Sequence, residues 1–292
     1  MQFGVSFPTM EIGSDPAVIR DYVQTIEGLG FRHLTVVDHV VSYREPTETA
    51  WSRFYGHERA FHEVFVTMAF VAACTERLQL AAAIVILPQR QTALVAKQAA
   101  ELDVLSGGRI VLGVGLGWNA KEFEALGQDF RNRNRRIVEQ VELLRLLWTQ
   151  ELVTFEGRWH RISDAGLNPL PVQRPIPIWF GAFADPAIER AARLGDGWFL
   201  NPRVGPDNEA ARQIALFQDS ARAAGRDPAS LPIDATVHAK EGPEEGWREK
   251  LRRWRDLGVP RVTFRLHDCG LPDLQAHFDA MRRFREVAKE FE

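Results

Sequence analysis

The chain has 292 residues, 45% of them apolar, and 36 Lys and Arg against 39 Asp and Glu give a net charge of −3. So even a balance excludes the basic footprint of a nucleic-acid or anionic-membrane partner, and no apolar run is long enough to span a bilayer. Cys74 and Cys269 form no Cys-x-x-Cys pair, and Met1–Gly4 leads into a strand without a signal core. A reducing, cytoplasmic setting is therefore expected rather than a disulfide framework or a cysteine-rich metal site.

Gln2–Phe7 reads as a strand closed by Pro8-Thr9, and Asp15-Pro16 supplies an N-cap and first turn for a helix running to Leu29. His33–Val37 is the second strand, ending in Asp38-His39. A polar and aromatic connection, Val40–Ala60, exceeds ordinary loop length and reads as a lid or substrate loop. Helix Glu63–Cys74 follows. Leu80–Leu87 is an apolar strand ended by Pro88, and a helical pattern carries Leu94, Ala99, Leu102 and Leu105. Ser106-Gly107-Gly108 turns the chain into strand Ile110–Val114, which runs into Gly115-Leu116-Gly117-Trp118. Arg131–Thr149 is a helix with the stripe Ile137, Val141, Leu144, Trp148, and the segments flanking Glu156-Gly157-Arg158 predict a small hairpin.

The alternation then resumes with strands Ile176–Phe180, Gly197–Leu200, Ile233–Val237 and Val262–Leu266. They are separated and followed by helices Pro186–Leu194, Asp207–Ala224, Glu244–Leu257 and Leu274–Glu290. Roughly eight strands and eight helices in alternation predict an α/β chain folded as a single (β/α)₈ TIM barrel over residues 1–292, with the hairpin as an insertion. A doubly wound open sheet is the alternative. Barrel sites lie at the carboxyl ends of the strands.

Several segments together resemble the bacterial luciferase-like flavin and deazaflavin oxidoreductases. They are DH at 38–39, ILPQRQTALVAKQAAELDVLSGGRIVLGVGLGWNAKEFEALG at 86–127, RNRRIVEQVELLRLLW at 133–148, PVQRPIPIWFGA at 171–182 and ARLGDGW at 192–198. The likeness runs from Gln2 to Leu200 and is faint beyond. It is nearest to the branch that uses the deazaflavin coenzyme F-420, which includes glucose-6-phosphate and alcohol dehydrogenases; other members use reduced FMN with dioxygen.

The resemblance implies a catalytic role for His39, with Asp38 near the cofactor, and histidine is suited to proton transfer beside a hydride transfer. It implies a non-proline cis peptide, placed at Ile84–Val85, in a bulge of Ile84, Val85 and Leu87 under the central ring. Tyr43 and Trp118 are expected to face substrate. Trp118 replaces the carboxylate of the sugar-phosphate dehydrogenases, which argues against that substrate. Gly115, Leu116, Gly117 and Asn119 are expected along the ring and its ribityl chain, with the glycines leaving room for a flat ligand. Gly181, Ala182 and Phe183 precede a helix start whose amides suit a phosphate. Structural readings stand beside each of these: His39 as a strand cap, Tyr43 as a rim residue and the glycines as plain turns. Arg90 either reaches the ligand's anionic tail or is a solvated rim charge, Glu122 reads as ordering the helix that follows rather than performing chemistry, and Trp198 as packing.

No His-Glu-x-x-His, Gly-x-Ser-x-Gly or Gly-x-x-x-x-Gly-Lys-Ser/Thr motif is present, so no metal site is expected. The leading expectation is an oxidoreductase moving a hydride between coenzyme F-420 and a small organic substrate. The alternatives are an FMN-dependent monooxygenase using reduced flavin and dioxygen, and a flavin-binding barrel without catalysis. Expected partners are the small-molecule substrate, a flavin or F-420 reductase, and a second copy of the chain in a homodimer.

Overall fold

The structure, a computed structural model, describes residues 1–44 and 56–292. The middle of the expected lid, residues 45–55, lies outside the described residues.

Eight parallel strands close into a barrel: β1 (Gln2–Ser6), β2 (His33–Val36), β3 (Gln79–Ala82), β5 (Ile110–Gly115), β8 (Ile178–Ala182), β9 (Gly197–Leu200), β10 (Ile233–His238) and β11 (Arg261–Arg265). Each pairs with its neighbours in that circular order, and the β3–β5 pairing, Leu80 opposite Ile110, closes the ring. The helices α1 (Pro16–Gly28), α2 (Val64–Cys74), α3 (Thr92–Ser106), α5 (Arg133–Thr149), α6 (Asp185–Leu194), α7 (Asn208–Ala223), α8 (Glu244–Asp256) and α9 (Leu274–Ala288) lie between strands or after the last one. Asp15 caps α1 as the sequence predicts, its carboxylate accepting from the Ala17 amide, with Pro16 in the first turn.

Period-two alternation divides the strand residues. Phe3, Val5, Leu34, Val36, Leu112 and Val114 join the large core between barrel and helices, whereas Ala81, Val111, Trp179 and Phe199 form a separate apolar cluster inside the barrel. The expected hairpin is β6 (Val153–Glu156) with β7 (Arg161–Ala165), an antiparallel pair outside the barrel. Glu139 of α5 pins its turn, accepting from the amides of Arg158, Trp159 and His160 at 2.9 Å each.

One predicted element is different. Leu80–Leu87 is not one strand: β3 stops at Ala82, a two-residue β4 (Val85–Ile86) pairs with β5 beyond it, and Leu87–Gln89 is a 3₁₀ turn containing Pro88. The non-proline cis peptide is Ala83–Ile84, one residue before the expected Ile84–Val85. The ladder explains the position. Ala82 is still opposite Val36 and Val85 is already opposite Val114, so the change of direction falls on Ala83 and Ile84.

Candidate active site

Because all eight strands are parallel, their carboxyl ends share one mouth. Asp38 and His39 follow β2 there, both buried. His39 Nδ1 lies 3.1 Å from Glu122 Oε2 and 3.3 Å from Oε1. Its ring meets Phe61 edge-on at 5.3 Å and Trp118 at 6.1 Å.

Glu122 comes from the short helix α4 (Ala120–Ala125) and is 0% exposed. It also accepts from the Val40 amide at 2.8 Å and from Gln89 Nε2 at 3.2 Å. Burial alone would push this carboxyl up, but the His39 contact and these two donors outweigh it and hold the group below the usual carboxylate range. The expectation that Glu122 merely orders its own helix is therefore corrected. Its partner is 83 positions away, and no local pattern announces such a contact.

Asp38 is held by neighbouring groups of the fold. It accepts from the Ile86 amide at 3.0 Å and from Arg90 Nη2 at 2.7 Å, while Arg90 Nη1 reaches Glu63 at 3.2 Å. Arg90 is thus no solvated rim charge: its side chain is 14% exposed and pairs two carboxylates. The trio fastens the end of β2 to β4 and the start of α2. That fixes the turn at Ala83–Ile84.

Ile84 packs against the apolar cluster inside the barrel and is half-buried at the mouth. A Cβ on Gly115 would stand 2.6 Å from Ile84 Cδ1, and one on Gly181 would stand 2.9 Å from Ile84 Cγ2. These two glycines make room for Ile84 itself. Gly117, at φ +70°, would strike Ile86. Val85, Leu87 and Ala182 bury their side chains in the core between barrel and helices, so only their backbone serves the mouth. Leu116 is half-buried against the same core, and Asn119 precedes α4 without capping it through its side chain.

Tyr43 donates its hydroxyl to the Lys121 carbonyl, so the phenol braces α4. Gly181 and Ala182 end β8, Phe183 is 47% exposed, and α6 begins at Asp185 with no side-chain cap. Pro186 removes one amide from that helix start, and Arg212 neutralises Asp185 through contacts of 2.9 and 3.0 Å. Trp198 is packing, stacked on Phe217 with centroids 5.0 Å apart.

The opposite wall of the barrel holds polar residues the sequence reading missed. Deep inside, Asp234 meets Arg261 Nε at 3.0 Å, His33 Nε2 at 3.1 Å and Thr263 Oγ1 at 2.9 Å. Nearer the mouth, Ser6 Oγ is 3.0 Å from His267 Nδ1, and His238 Nε2 donates to the Pro202 carbonyl at 2.8 Å. Inward-facing polar residues on β1, β2, β10 and β11 at alternate positions are the signal that could have revealed this wall.

Residues 1–288 match the model of the luciferase-like monooxygenase family. An uncharacterised protein of Mycobacterium tuberculosis is 31% identical over 96% of this chain and 97% of its own length. An F-420-dependent glucose-6-phosphate dehydrogenase of Kineococcus radiotolerans is 30% identical over 84% and 70%. Among solved structures, an F-420-dependent secondary alcohol dehydrogenase in complex with an F-420–acetone adduct superposes with a TM-score of 0.82 at 18% identity, covering 100% and 99% of the two chains.

Proposed function

The chain belongs to the luciferase-like monooxygenase family and is an oxidoreductase, and within that family we propose that it transfers a hydride between coenzyme F-420 and a small organic alcohol or carbonyl compound. The observation that carries this reading is the buried His39–Glu122 pair, walled by Phe61 and Trp118, at the same mouth as the Ile84 turn. The relatives that use F-420 support it.

The residues present fit such a coenzyme. Ile84, seated between Gly115 and Gly181 above Val111, Trp179 and Phe199, is an apolar platform for a flat ring. At the start of α6 Pro186 has no amide and Ala187 gives its own to the Ala184 carbonyl, which leaves the Asp185 amide for a phosphate. When bound, the deazaflavin supplies the hydride donor or acceptor. The chain's own part is the proton. With Nδ1 held by Glu122, Nε2 of His39 is the atom that takes the hydroxyl proton as an alcohol becomes a carbonyl, or returns it in reverse. Phe61 and Trp118 exclude water around that exchange.

The family description favours a second reading, an FMN-dependent monooxygenase supplied by a separate flavin reductase. The two separate under anaerobic conditions. Deazaflavin absorbance followed with a panel of secondary alcohols, or with carbonyl compounds and reduced F-420, should report turnover without dioxygen. His39→Ala should lower that turnover about 10²–10³-fold. Turnover seen only with reduced FMN and dioxygen would select the second reading.

A further inference from the structure

Glu122 fills more of its bonding capacity than any one of its neighbours requires. Oε1 takes the Val40 amide at 2.8 Å, with Val41 at 3.4 Å; Oε2 takes His39 Nδ1 at 3.1 Å and Gln89 Nε2 at 3.2 Å. Every one of these partners is a donor to an ionised carboxylate, which offers acceptor sites only. A backbone amide and a primary amide cannot reverse their roles at those atoms without losing a bond. The carboxylate therefore dictates what His39 presents: Nδ1 must carry hydrogen, and the neutral ring keeps its lone pair on Nε2.

The same carboxylate also holds the root of the long connection after β2, since Val40 and Val41 open that segment. The orientation of the imidazole and the path of the chain leaving it are thus fixed by one buried group from α4. Because α4 follows Trp118 by two residues, the aromatic wall is set by the same anchor.

We propose that Glu122 is the positioning residue of this site: it locks His39 in the Nδ1–H tautomer, so that Nε2 serves as base, and ties the loop root to the same point. The role of Nε2 in turnover rests on the reading in the preceding section; the tautomer does not.

The test is Glu122→Gln, which keeps size and hydrogen bonding but not charge. With the amide oxygen on the Val40 N–H, its NH₂ group faces His39 Nδ1. The ring is then forced to carry hydrogen on Nε2, and Gln89 must turn its own oxygen inward. Nitrogen-15 NMR of the imidazole at about pH 9, where an ordinary imidazole is neutral, reads this directly without cofactor. Wild type should show Nδ1–H, and the variant should show Nε2–H. The variant should bind cofactor within about threefold of wild type and lose turnover by about 10²-fold or more, the scale of general-base loss. A merely structural carboxylate would change stability and leave the tautomer alone.

A wild-type ring protonated on Nε2 at that pH overturns the proposal whether or not the variant folds. So does a folded variant with an unchanged tautomer or near-normal turnover. If neither F-420 nor FMN supports turnover, the reaction assignment fails, while the tautomer measurement still decides the role of Glu122.

Discussion

The two walls of the barrel are built from opposite chemistry. Strands β3, β5, β8 and β9 turn Ala81, Val111, Gly113, Gly115, Trp179, Gly181 and Phe199 inward, an apolar and glycine-rich surface ending in Ile84. Strands β10, β11 and β2 turn inward Asp234, Arg261, Thr263 and His33. One wall is specified by shape, because backbones approach where no side chain fits. The other is specified by charge, because each buried polar group needs a partner. Identical strand geometry therefore tolerates different insults on its two sides.

The sharpest break should come from the shape-specified wall. A Cβ on Gly113 would stand 1.9 Å from the Ala82 carbonyl oxygen, a backbone atom with nowhere to go, and 2.8 Å from the Phe199 ring. Gly113→Val should cost about 4 kcal/mol or more and leave little folded protein, measured by urea denaturation of the soluble fraction. A variant with near-wild-type stability would show that the β3–β5 contact is looser than described.

On the charged wall the damaging change is removal of one partner. Asp234→Ala strands Arg261 and His33, and should cost about 3–5 kcal/mol. Asp234→Asn keeps the size, the oxygen facing Arg261 and His33 and, with the Thr263 hydroxyl turned to accept, a third bond, and should cost less. A negligible loss for Asp234→Asn beside a full loss for Asp234→Ala would mean that packing rather than charge defines this wall.

A gentler probe is pH. Burial, with the Arg261 charge beside it, lowers His33 to about 4, below its ordinary value near 6.5. The unfolded chain therefore takes up a proton first as pH falls. The neutral histidine contributes its full stability above about 6.5, and that contribution drains away towards pH 4 at up to about 1.4 kcal/mol per unit. Burial and the Arg265 charge depress His267 in the same direction. Denaturation midpoints between pH 7 and 5, with His33→Gln as control, should show the slope reduced in the variant; an unchanged slope removes His33 from the account.

The difference between the walls also explains what was legible in the sequence. The strand–helix rhythm and the Gly115–Gly117 segment are local patterns, so the barrel and the neighbourhood of His39 follow from them. The Asp15-Pro16 cap is local too, and it is observed as read. Pairings across the barrel are not local. Glu122 on His39, Arg90 on Asp38 and Asp234 on Arg261 join residues 83, 52 and 27 positions apart. Arg90 reads as a rim charge until its carboxylates are seen. The cis peptide after β3 falls one residue before the position the sequence suggests, because only the register of two neighbouring strands fixes where it lies.

The central claim is that the shape-specified wall receives a deazaflavin while the His39–Glu122 pair manages the proton. Fluorescence titration of the purified chain with oxidised F-420 and with FMN, side by side, tests the first half most directly. The account predicts F-420 binding at least about tenfold tighter than FMN, a difference of about 1.4 kcal/mol. Stoichiometric FMN binding with no measurable affinity for F-420 would contradict it.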